Sequence, residues 1–362
     1  MSAVAEYFSQ SYAEARAKFI GAAKQAGLDV ESHVHPMLGR DGEVLAMDVV
    51  RDGPKDAPSV FIVSSACHGV EGYCGSGVQI RMLDDAAWRT AAREAGVAVL
   101  HIHGLNPYGF SWWRRTTHEN VDLNRNFRDF HAEPPRNPGY DELAALLVPP
   151  TWPPGPAVVE QIDRFVAERG ERALQQAISG GQYHYPEGLF FGGTGPTWSQ
   201  ATLRQVLRDH GMHCAKLAWI DLHTGLGPSG LGERIYAGRD DAETVARARR
   251  WWGHITSIYD GSSTSAVLTG MMWLAAYEEC PQAEYTGIAM EYGTLPQTEV
   301  MTALRADQWL ENHPEAPEAQ RREIKRQVRD AFYTDTDAWK ERIVEQALDA
   351  GYSGLRGLTA AS

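Results

Sequence analysis

The sequence predicts an α/β fold of three layers, α/β/α, built on a mixed, largely parallel and twisted sheet. The first observation is a set of short, continuous apolar runs, which are typical of strands buried on both faces. These runs lie at residues 60–64, 97–102, 217–222 and 287–290. The second observation is a set of helical stretches near residues 75–95, 157–178, 200–210 and 241–258. Strands that alternate with helices favour a largely parallel sheet covered by helices on both faces.

The first element is predicted to be a helix. Ser11 and Glu14 have the spacing of a capping box, and the apolar positions that follow suit one face of a helix through about Ala26. A second helix is expected to start near Gly72, directly after the first strand-like run and a Gly-rich turn. After about residue 296 the chain is predicted to be helical to its end, with a charged, solvated helix face at 321–328.

Two segments interrupt the alternation. Residues 131–156 contain eight of the 19 prolines, which predicts a loop because proline is disfavoured inside helices and strands. Residues 180–196 are rich in glycine and aromatic residues and are also expected to be irregular. Long loops are often active-site lids, although plain surface excursions are an equal alternative here.

Length and charge limit the possible functions. The 362 residues, 43% of them hydrophobic, suffice for one large domain or two, and we expect one domain spanning residues 1–362. The formal net charge of −13 disfavours nucleic acid and membrane surfaces as partners. The sequence has no run of 18 apolar residues and no signal-peptide pattern, so we expect a cytoplasmic protein.

The four cysteines do not form a metal-binding or redox motif. They are Cys67, Cys74, Cys214 and Cys280, and no two of them form a C-x-x-C pair. In a chain of this length they are expected to be reduced thiols. Cys67 precedes a histidine of interest, but the simpler interpretation is a small buried residue at a strand end.

Three residues have the pattern of a catalytic metal site. His68 and Glu71 lie three apart after the first strand-like run, and His223 follows another such run. Two histidines and one carboxylate can bind one Zn²⁺ and leave its fourth position open for water. A His-x-x-Glu pair alone also occurs by chance, but here both segments fall at strand ends, where α/β sheets bind ligands.

Further residues could complete a hydrolytic site. Glu291 ends an apolar run and is a candidate general base. Arg114 and Arg125 are fork-shaped cations suited to a carboxylate or an oxyanion, and Asn124 adds an amide donor. Asp122 could hold a ligand histidine in the required tautomer. Each of these residues, taken alone, could equally be an ordinary solvated or structural residue.

In their order, these motifs resemble the zinc carboxypeptidase family. The motifs are HxxE, NPYGF, WRR, DLNRNF, and then the distant His223 and Glu291, over about residues 60–295. The form HGVEGYCGSGVQ is similar to a less studied bacterial, carboxypeptidase-like branch of that clan. HGxEG and DLHTG also resemble the aspartoacylase and succinylglutamate desuccinylase branch. The resemblance implies the phosphorylase/hydrolase-like fold and a metallopeptidase.

The resemblance implies roles for individual residues. His68, Glu71 and His223 match the ligands of one Zn²⁺ per chain, and Glu291 matches the general base. Arg114 matches the arginine that polarises the scissile carbonyl, with Arg115 as the alternative. The pair that grips the substrate carboxylate is matched by Asn124 and Arg125, and the acid behind a ligand histidine by Asp122.

One family feature has no clear counterpart, and three readings of function remain. The substrate-capping tyrosine could be Tyr277, Tyr285 or Tyr292.

The leading interpretation of function is a zinc-dependent hydrolase that cleaves a peptide or amide bond next to a free carboxylate, with a small peptide or N-acylated amino acid as substrate. The second is an N-acyl-amino-acid deacylase of the aspartoacylase type, whose relatives carry a β-rich domain after the catalytic glutamate. The third is a non-catalytic binding protein, which would be expected to lack a ligand or the base.

Overall fold

A computed structural model of the protein describes residues 4–360, and one mixed sheet forms its centre. The sheet contains seven strands in the order β1-β2-β4-β3-β5-β7-β6. In chain order the strands are β1 (Val30–Leu38), β2 (Val44–Asp52), β3 (Ser59–Ser65), β4 (Val97–His103), β5 (Lys216–Ser229), β6 (Gly232–Tyr236) and β7 (Glu284–Gly293). The predicted α/β fold class is therefore confirmed.

The four central strands are parallel, and the strands outside them are antiparallel. β3 pairs in parallel with β4 and with β5, and β5 pairs in parallel with β7. β1, β2 and β6 are joined to the sheet by antiparallel pairing. The register places His223 of β5 opposite Glu291 of β7. Because parallel strands end at the same edge, the carboxyl ends of β3, β5 and β7 bring their polar residues together.

Helices cover both faces of the sheet and extend beyond it. They are α1 (Tyr12–Gln25), α2 (Gly72–Asp84), α3 (Ala86–Glu94), α4 (Pro107–Trp112), α5 (Pro138–Leu147), α6 (Pro156–Arg169), α7 (Glu171–Ser179), α8 (Trp198–Gly211), α9 (Ala242–Trp252), α10 (Leu274–Glu279), α11 (Gln297–Asn312), α12 (Glu318–Phe332) and α13 (Asp337–Thr359). One face of the sheet packs against α2, α3, α9 and α13, and the other packs against α8 and α10. A third apolar cluster joins α5 and α7 to α11 and α12. Among the described residues, no helix is both long and apolar enough to cross a membrane.

The four predicted strands are present, but β1, β2 and β6 were not predicted. β1 has the sequence VESHVHPML, in which polar residues separate the apolar ones, because most of this edge strand is exposed. β6 has only five residues and also lies at an edge of the sheet. Edge strands lack the two-sided burial that produces a continuous apolar run, and this explains why β1 and β6 were missed. β2 is not an edge strand and is mostly buried, but Asp48, Arg51 and Asp52 interrupt its apolar run.

The helix predictions hold with corrections to their ends. Ser11 caps α1 by accepting a hydrogen bond from the Glu14 N–H (3.2 Å), whereas the Glu14 carboxylate accepts from Gln10 rather than from Ser11. The stretch near 75–95 is two helices, because Asp85 ends α2 and caps α3. Gly170 similarly divides the stretch near 157–178. The stretch near 241–258 ends at Trp252, before Gly253 with φ +75°.

The prediction that residues 131–156 form only a loop is wrong, because this segment contains α5. Pro138 occupies the first turn of α5, and Pro156 occupies the first turn of α6. A proline there costs no intrahelical hydrogen bond, so these prolines mark where helices start. Residues 180–196 are irregular, as predicted, apart from an isolated bridge between Gln182 and Phe191.

Candidate metal centre

The chain brings His68, Glu71 and His223 to one point at the carboxyl edge of the sheet. His68 and Glu71 lie on a single 3₁₀ turn between β3 and α2, and His223 lies in β5. A Cβ on Gly69 in this turn would overlap the main chain of Gly109, so the turn packs against α4 with no room for a side chain. The close packing explains why HGVEG needs glycine next to the histidine.

The donor atoms of the three side chains converge. Glu71 Oε1 lies 2.8 Å from His68 Nδ1, and Glu71 Oε2 lies 3.1 Å from His223 Nδ1. The two Nδ1 atoms are 3.2 Å apart. Donors on a tetrahedral Zn²⁺ with bonds of about 2.1 Å are about 3.4 Å from one another. The three side chains are almost completely buried and form a candidate metal site.

Each histidine has a carboxylate near its outer nitrogen. His223 Nε2 makes a short contact with Asp221, and His68 Nε2 lies 3.5 Å from Asp122 Oδ1. A carboxylate in this position can accept the outer N–H, and the inner nitrogen is then free to bind a metal. Asp221 was not among the predicted residues. Its signal is the spacing of two from His223 within a strand, which places both side chains on one face.

The charges in this cluster compensate one another. Burial alone would raise the pKa of Glu71, but His68 and His223 hold it well below its usual range. Burial alone would lower the pKa of His223, but Asp221 and Glu71 raise it well above its usual range. The two histidines therefore keep Glu71 ionised although it is buried.

Arg115 also contacts this cluster. Its guanidinium lies 2.9 Å from Asp122 Oδ2, 3.3 Å from Glu71 Oε1 and 2.7 Å from His68 Nε2. An arginine N–H can only donate, so His68 Nε2 accepts in this contact and Nδ1 carries the hydrogen toward Glu71. A metal on Nδ1 would move that hydrogen to Nε2, for which Asp122 is the available acceptor.

Arg114 does not line the cavity, contrary to the prediction. Its buried guanidinium lies 3.2 Å from Asp307 Oδ2 and 2.9 Å from Asn120 Oδ1, and a further contact of 3.5 Å joins it to Glu311. These partners, two of them on α11, turn the side chain away from the metal site. Arg115, the alternative, is the arginine of the pair that faces the candidate ligands.

Glu291 lies at the end of β7, in the same cavity as the three donors. Its Oε1 accepts a hydrogen bond of 2.9 Å from the Leu226 N–H. Burial, followed by the negative charge of Glu71, raises the pKa of Glu291 to about 7. A carboxylate with such a pKa can both accept and return a proton near neutral pH.

Asn124 and Arg125 line this cavity too. Arg125 is buried, and it donates to the carbonyl oxygens of Ser179 (2.5 and 3.2 Å) and of Asn124 (2.8 Å). Three of its five N–H groups are thereby used, and the other two make no hydrogen bond within residues 4–360, although the guanidinium lies 3.9 Å from Asp122 Oδ1. Asn124 Oδ1 accepts from the Met272 N–H at 2.8 Å, so its amide NH₂ is available as a donor.

The cavity offers about 120 Å³ of free space. Of the three tyrosines considered as a substrate cap, Tyr277, Tyr285 and Tyr292, none lines it among the described residues. Tyr285 donates to the carbonyl of Ala237, and Tyr292 donates to the carbonyl of Ile343. Phe190, which was not predicted, lines the cavity and lies under the guanidinium of Arg115, 4.9 Å from it.

The fold and this cluster define an α/β protein with a buried candidate metal centre at the carboxyl edge of its sheet. The chain belongs to the family described as "Protein of unknown function (DUF2817)", whose model matches residues 8–346. No curated protein matches the chain in sequence.

Solved structures similar to this chain include carboxypeptidase-like proteins, as the sequence motifs predicted. Bovine thrombin-activatable fibrinolysis inhibitor is 12% identical, with a TM-score of 0.44 over 94% of this chain and 98% of the other. A protein provisionally described as carboxypeptidase A, from Shewanella denitrificans OS-217, is 13% identical, with a TM-score of 0.42 over 98% and 69% of the two chains. A protein provisionally described as a succinylglutamate desuccinylase/aspartoacylase, from Shewanella frigidimarina NCIMB 400, is 14% identical, with a TM-score of 0.33 over 77% and 68%. These similarities assign no activity to the chain.

Proposed function

We propose that this protein is a zinc-dependent hydrolase that cleaves an amide or peptide bond next to a free carboxylate. The observation that carries the proposal is the convergence of three metal donors, one carboxylate with a raised pKa and two arginines in a single cavity. Each element has a separate task in such a reaction, and none of the required groups is missing. A non-catalytic binding protein would have no need for the complete set.

The donor set fits zinc. Two imidazole nitrogens and one carboxylate are ligands that Zn²⁺ commonly takes in catalytic sites, where a fourth position stays open. Asp221 and Asp122 would orient His223 and His68 as ligands. When bound, Zn²⁺ would supply an acidified water and polarise the scissile carbonyl.

In this proposal Glu291 moves the proton. It takes a proton from the attacking water and gives it to the leaving amine. Its pKa of about 7 suits both transfers, because the carboxylate is neither a strong acid nor permanently protonated near neutral pH. Leu226 donates to Glu291 Oε1, and Oε2 accepts no hydrogen bond from the part of the chain that the structure describes, so it is available for this task.

The arginines bind the substrate. The two unused N–H groups of Arg125, with the amide of Asn124, would hold the carboxylate, because a guanidinium matches a carboxylate in shape and charge. Arg115 would stabilise the negative charge that develops on the carbonyl oxygen. Arg114 has no part in the proposal, since its contacts are with Asn120 and with α11.

The alternative of an N-acyl-amino-acid deacylase uses the same chemistry with an acyl group in place of a peptide. Its relatives carry a β-rich domain after the catalytic glutamate, whereas the described residues after β7 form α11, α12 and α13. This favours the carboxypeptidase-like arrangement. The choice can be tested directly by comparing C-terminal dipeptides with N-acyl amino acids as substrates.

Glu291→Gln tests the catalytic assignment. The substitution keeps the shape of the side chain and removes its basicity, so turnover should fall by at least about 10²-fold. Zinc content, measured by metal analysis, should stay at one per chain, because Glu291 is not a ligand. Glu299→Gln, at an exposed position of α11, is the matched control and should leave turnover unchanged. Near-normal turnover by a zinc-loaded Glu291→Gln protein would refute the role of Glu291.

A further inference from the structure

Phe190 has an unusual backbone conformation for a bulky residue. Its φ is +53°, in the left-handed region that favours glycine, and the residue is 4% exposed. Phenylalanine rarely adopts this conformation, because its Cβ then crowds the main chain. Such residues persist only where the surrounding structure fixes them, and they are concentrated at ligand-binding and active sites. The conformation of Phe190 therefore indicates a task for its ring in the cavity that it lines.

Hydrogen bonds on both sides of Phe190 fix this conformation. The Gln182 N–H donates to the Phe190 carbonyl (3.2 Å), and the buried Gln182 amide donates to the Leu189 carbonyl (3.1 Å). On the other side, the Asp122 N–H donates to the Phe191 carbonyl (2.8 Å). Because Asp122 belongs to the segment that carries both cavity arginines, these contacts also attach Phe190 to that segment.

The ring of Phe190 lies against both guanidiniums. The centre of the ring is 4.9 Å from the guanidinium carbon of Arg115 and 5.7 Å from that of Arg125. Both distances are within about 6 Å, the range in which an aromatic face attracts a cation. Asp122 also contacts both, at 2.9 Å from Arg115 Nε and 3.9 Å from Arg125 Nη1. Two like charges are thus held near one another by one carboxylate and one aromatic ring.

An aromatic ring holds a guanidinium without occupying its N–H groups. Three N–H groups of Arg125 donate to main-chain carbonyls, and three of Arg115 donate to Asp122 and to two of the metal donors. A guanidinium has five N–H groups, so the hydrogen bonds of the described residues leave two on each arginine. A carboxylate or amide in the place of Phe190 would accept from these groups and compete with a substrate. The ring attracts the charge and leaves the donors available.

We propose that Phe190 is a positioning residue for the two arginines: the face of its ring holds the guanidiniums of Arg115 and Arg125 so that their remaining N–H groups stay available to the oxygens of a substrate. The proposal rests on the proposed function for the tasks of the two arginines. It goes further by assigning their arrangement to the aromatic ring as well as to Asp122.

Binding of butyrate and butyramide tests this without turnover. The two probes differ in the carboxylate, and neither contains an amide bond next to a free carboxylate, so neither is a substrate of the proposed reaction. Both are titrated into the zinc-loaded protein and followed by NMR. The wild-type protein should bind butyrate at least about tenfold more tightly than butyramide, because only butyrate offers Arg125 a charged partner. Equal affinity for both would overturn this proposal together with the carboxylate site of the proposed function.

Phe190→Leu keeps an apolar side chain and removes the aromatic face. It should reduce the preference for butyrate at least about threefold, while the affinity for butyramide and the zinc content stay as in the wild type. Phe190→Tyr keeps the aromatic face and should keep the preference. Phe191→Leu is the matched control, because Phe191 is also 4% exposed but does not line the cavity.

Urea unfolding checks that each variant is folded, and Phe190→Met replaces Phe190→Leu if that variant does not fold. An unchanged preference for butyrate in Phe190→Leu would overturn the proposal. An equal loss of preference in Phe190→Tyr or in Phe191→Leu would also overturn it, since either result would assign the effect to packing rather than to the aromatic face.

The same samples separate this proposal from the proposed function. Hydrolysis of N-acetyl-leucine and glycyl-leucine is measured beside the binding titrations. If Phe190→Leu loses the preference for butyrate but the wild type hydrolyses neither compound, the positioning role stands and the hydrolytic function fails for these substrates. If the wild type hydrolyses them but Phe190→Leu keeps the preference, the function stands and the role assigned to Phe190 is wrong.

Discussion

Replacing Asp221 by asparagine is expected to weaken zinc binding by about tenfold while the protein stays folded. Asp221 contacts His223 Nε2, and its other oxygen accepts a hydrogen bond of 2.5 Å from Ser64 Oγ. Ser64 Oγ in turn accepts from Trp219 Nε1 at 2.7 Å. This chain of contacts fixes the ring of His223, so Asp221 should determine how well His223 Nδ1 is presented to a metal.

The magnitude follows from what an asparagine can replace. Its carbonyl oxygen can accept from His223, and its NH₂ can donate to Ser64 Oγ. The substitution therefore removes the negative charge and the acceptor of the Ser64 hydroxyl, but it keeps a contact to both partners. Removing a partner of this kind costs 10–100-fold in metal affinity, and we expect Asp221→Asn near about tenfold, or about 1.4 kcal/mol. Asp221→Ala removes both contacts and should lie near about 100-fold.

The assay is a zinc titration against a competing fluorescent chelator, supported by urea unfolding. At a free zinc concentration of 100 times the wild-type Kd, zinc should stabilise the wild-type protein by about 2.7 kcal/mol. A tenfold weaker site would gain only about 1.4 kcal/mol under the same conditions. The two measurements should give the same loss for Asp221→Asn.

Asp48→Asn is the matched control. Asp48 is also a buried strand aspartate that accepts a 2.5 Å hydrogen bond from a serine, Ser32, but its other partner is Arg16 and it lies away from the cavity. This control should lose stability and keep its zinc affinity. If both variants bind zinc equally, or if Asp221→Asn binds zinc as tightly as the wild type, the role assigned to Asp221 is wrong.

Three further predictions concern the arginines and the buried histidines. Arg125→Ala should raise KM for substrates with a free carboxylate while zinc content stays intact, and an equal loss on amidated substrates would contradict this. Arg114→Ala should lower the free energy of unfolding in urea by about 1–3 kcal/mol, because Asp307 loses a buried charged partner, while zinc affinity is unchanged. Burial lowers the pKa of His101 and of His103 to about 4. Below pH 6.5 these histidines are therefore protonated in the unfolded chain but remain neutral in the folded protein until the pH approaches 4. The contribution of each histidine to the free energy of unfolding should be complete above about pH 6.5 and should be lost as the pH falls to about 4, by up to about 3 kcal/mol. His101→Gln should reduce this loss, as measured by urea titrations at pH 7.5 and 5.

The sequence alone was enough to predict the central sheet and the three candidate donors. Strands buried on both faces are rich in apolar residues, and β3, β4, β5 and β7 show this pattern, interrupted by His101 in β4 and by Asp221 in β5. His68 and Glu71 are close in sequence, and the carboxyl ends of parallel strands meet at one edge of the sheet. Their predicted positions at strand ends were therefore enough to expect His223 near His68 and Glu71. Those predictions depend on short-range geometry and on one general property of parallel sheets.

The tertiary structure decided which of two adjacent arginines faces the cavity. Arg114 and Arg115 have the same chemistry and neighbouring positions, but Asp307, about 190 residues away, attracts the first, whereas Asp122 and Glu71 attract the second. Similarly, the partners of Tyr285 and Tyr292 lie on distant segments and keep both rings out of the cavity. Side-chain direction depends on the partners that folding brings near, and a single sequence does not list these partners.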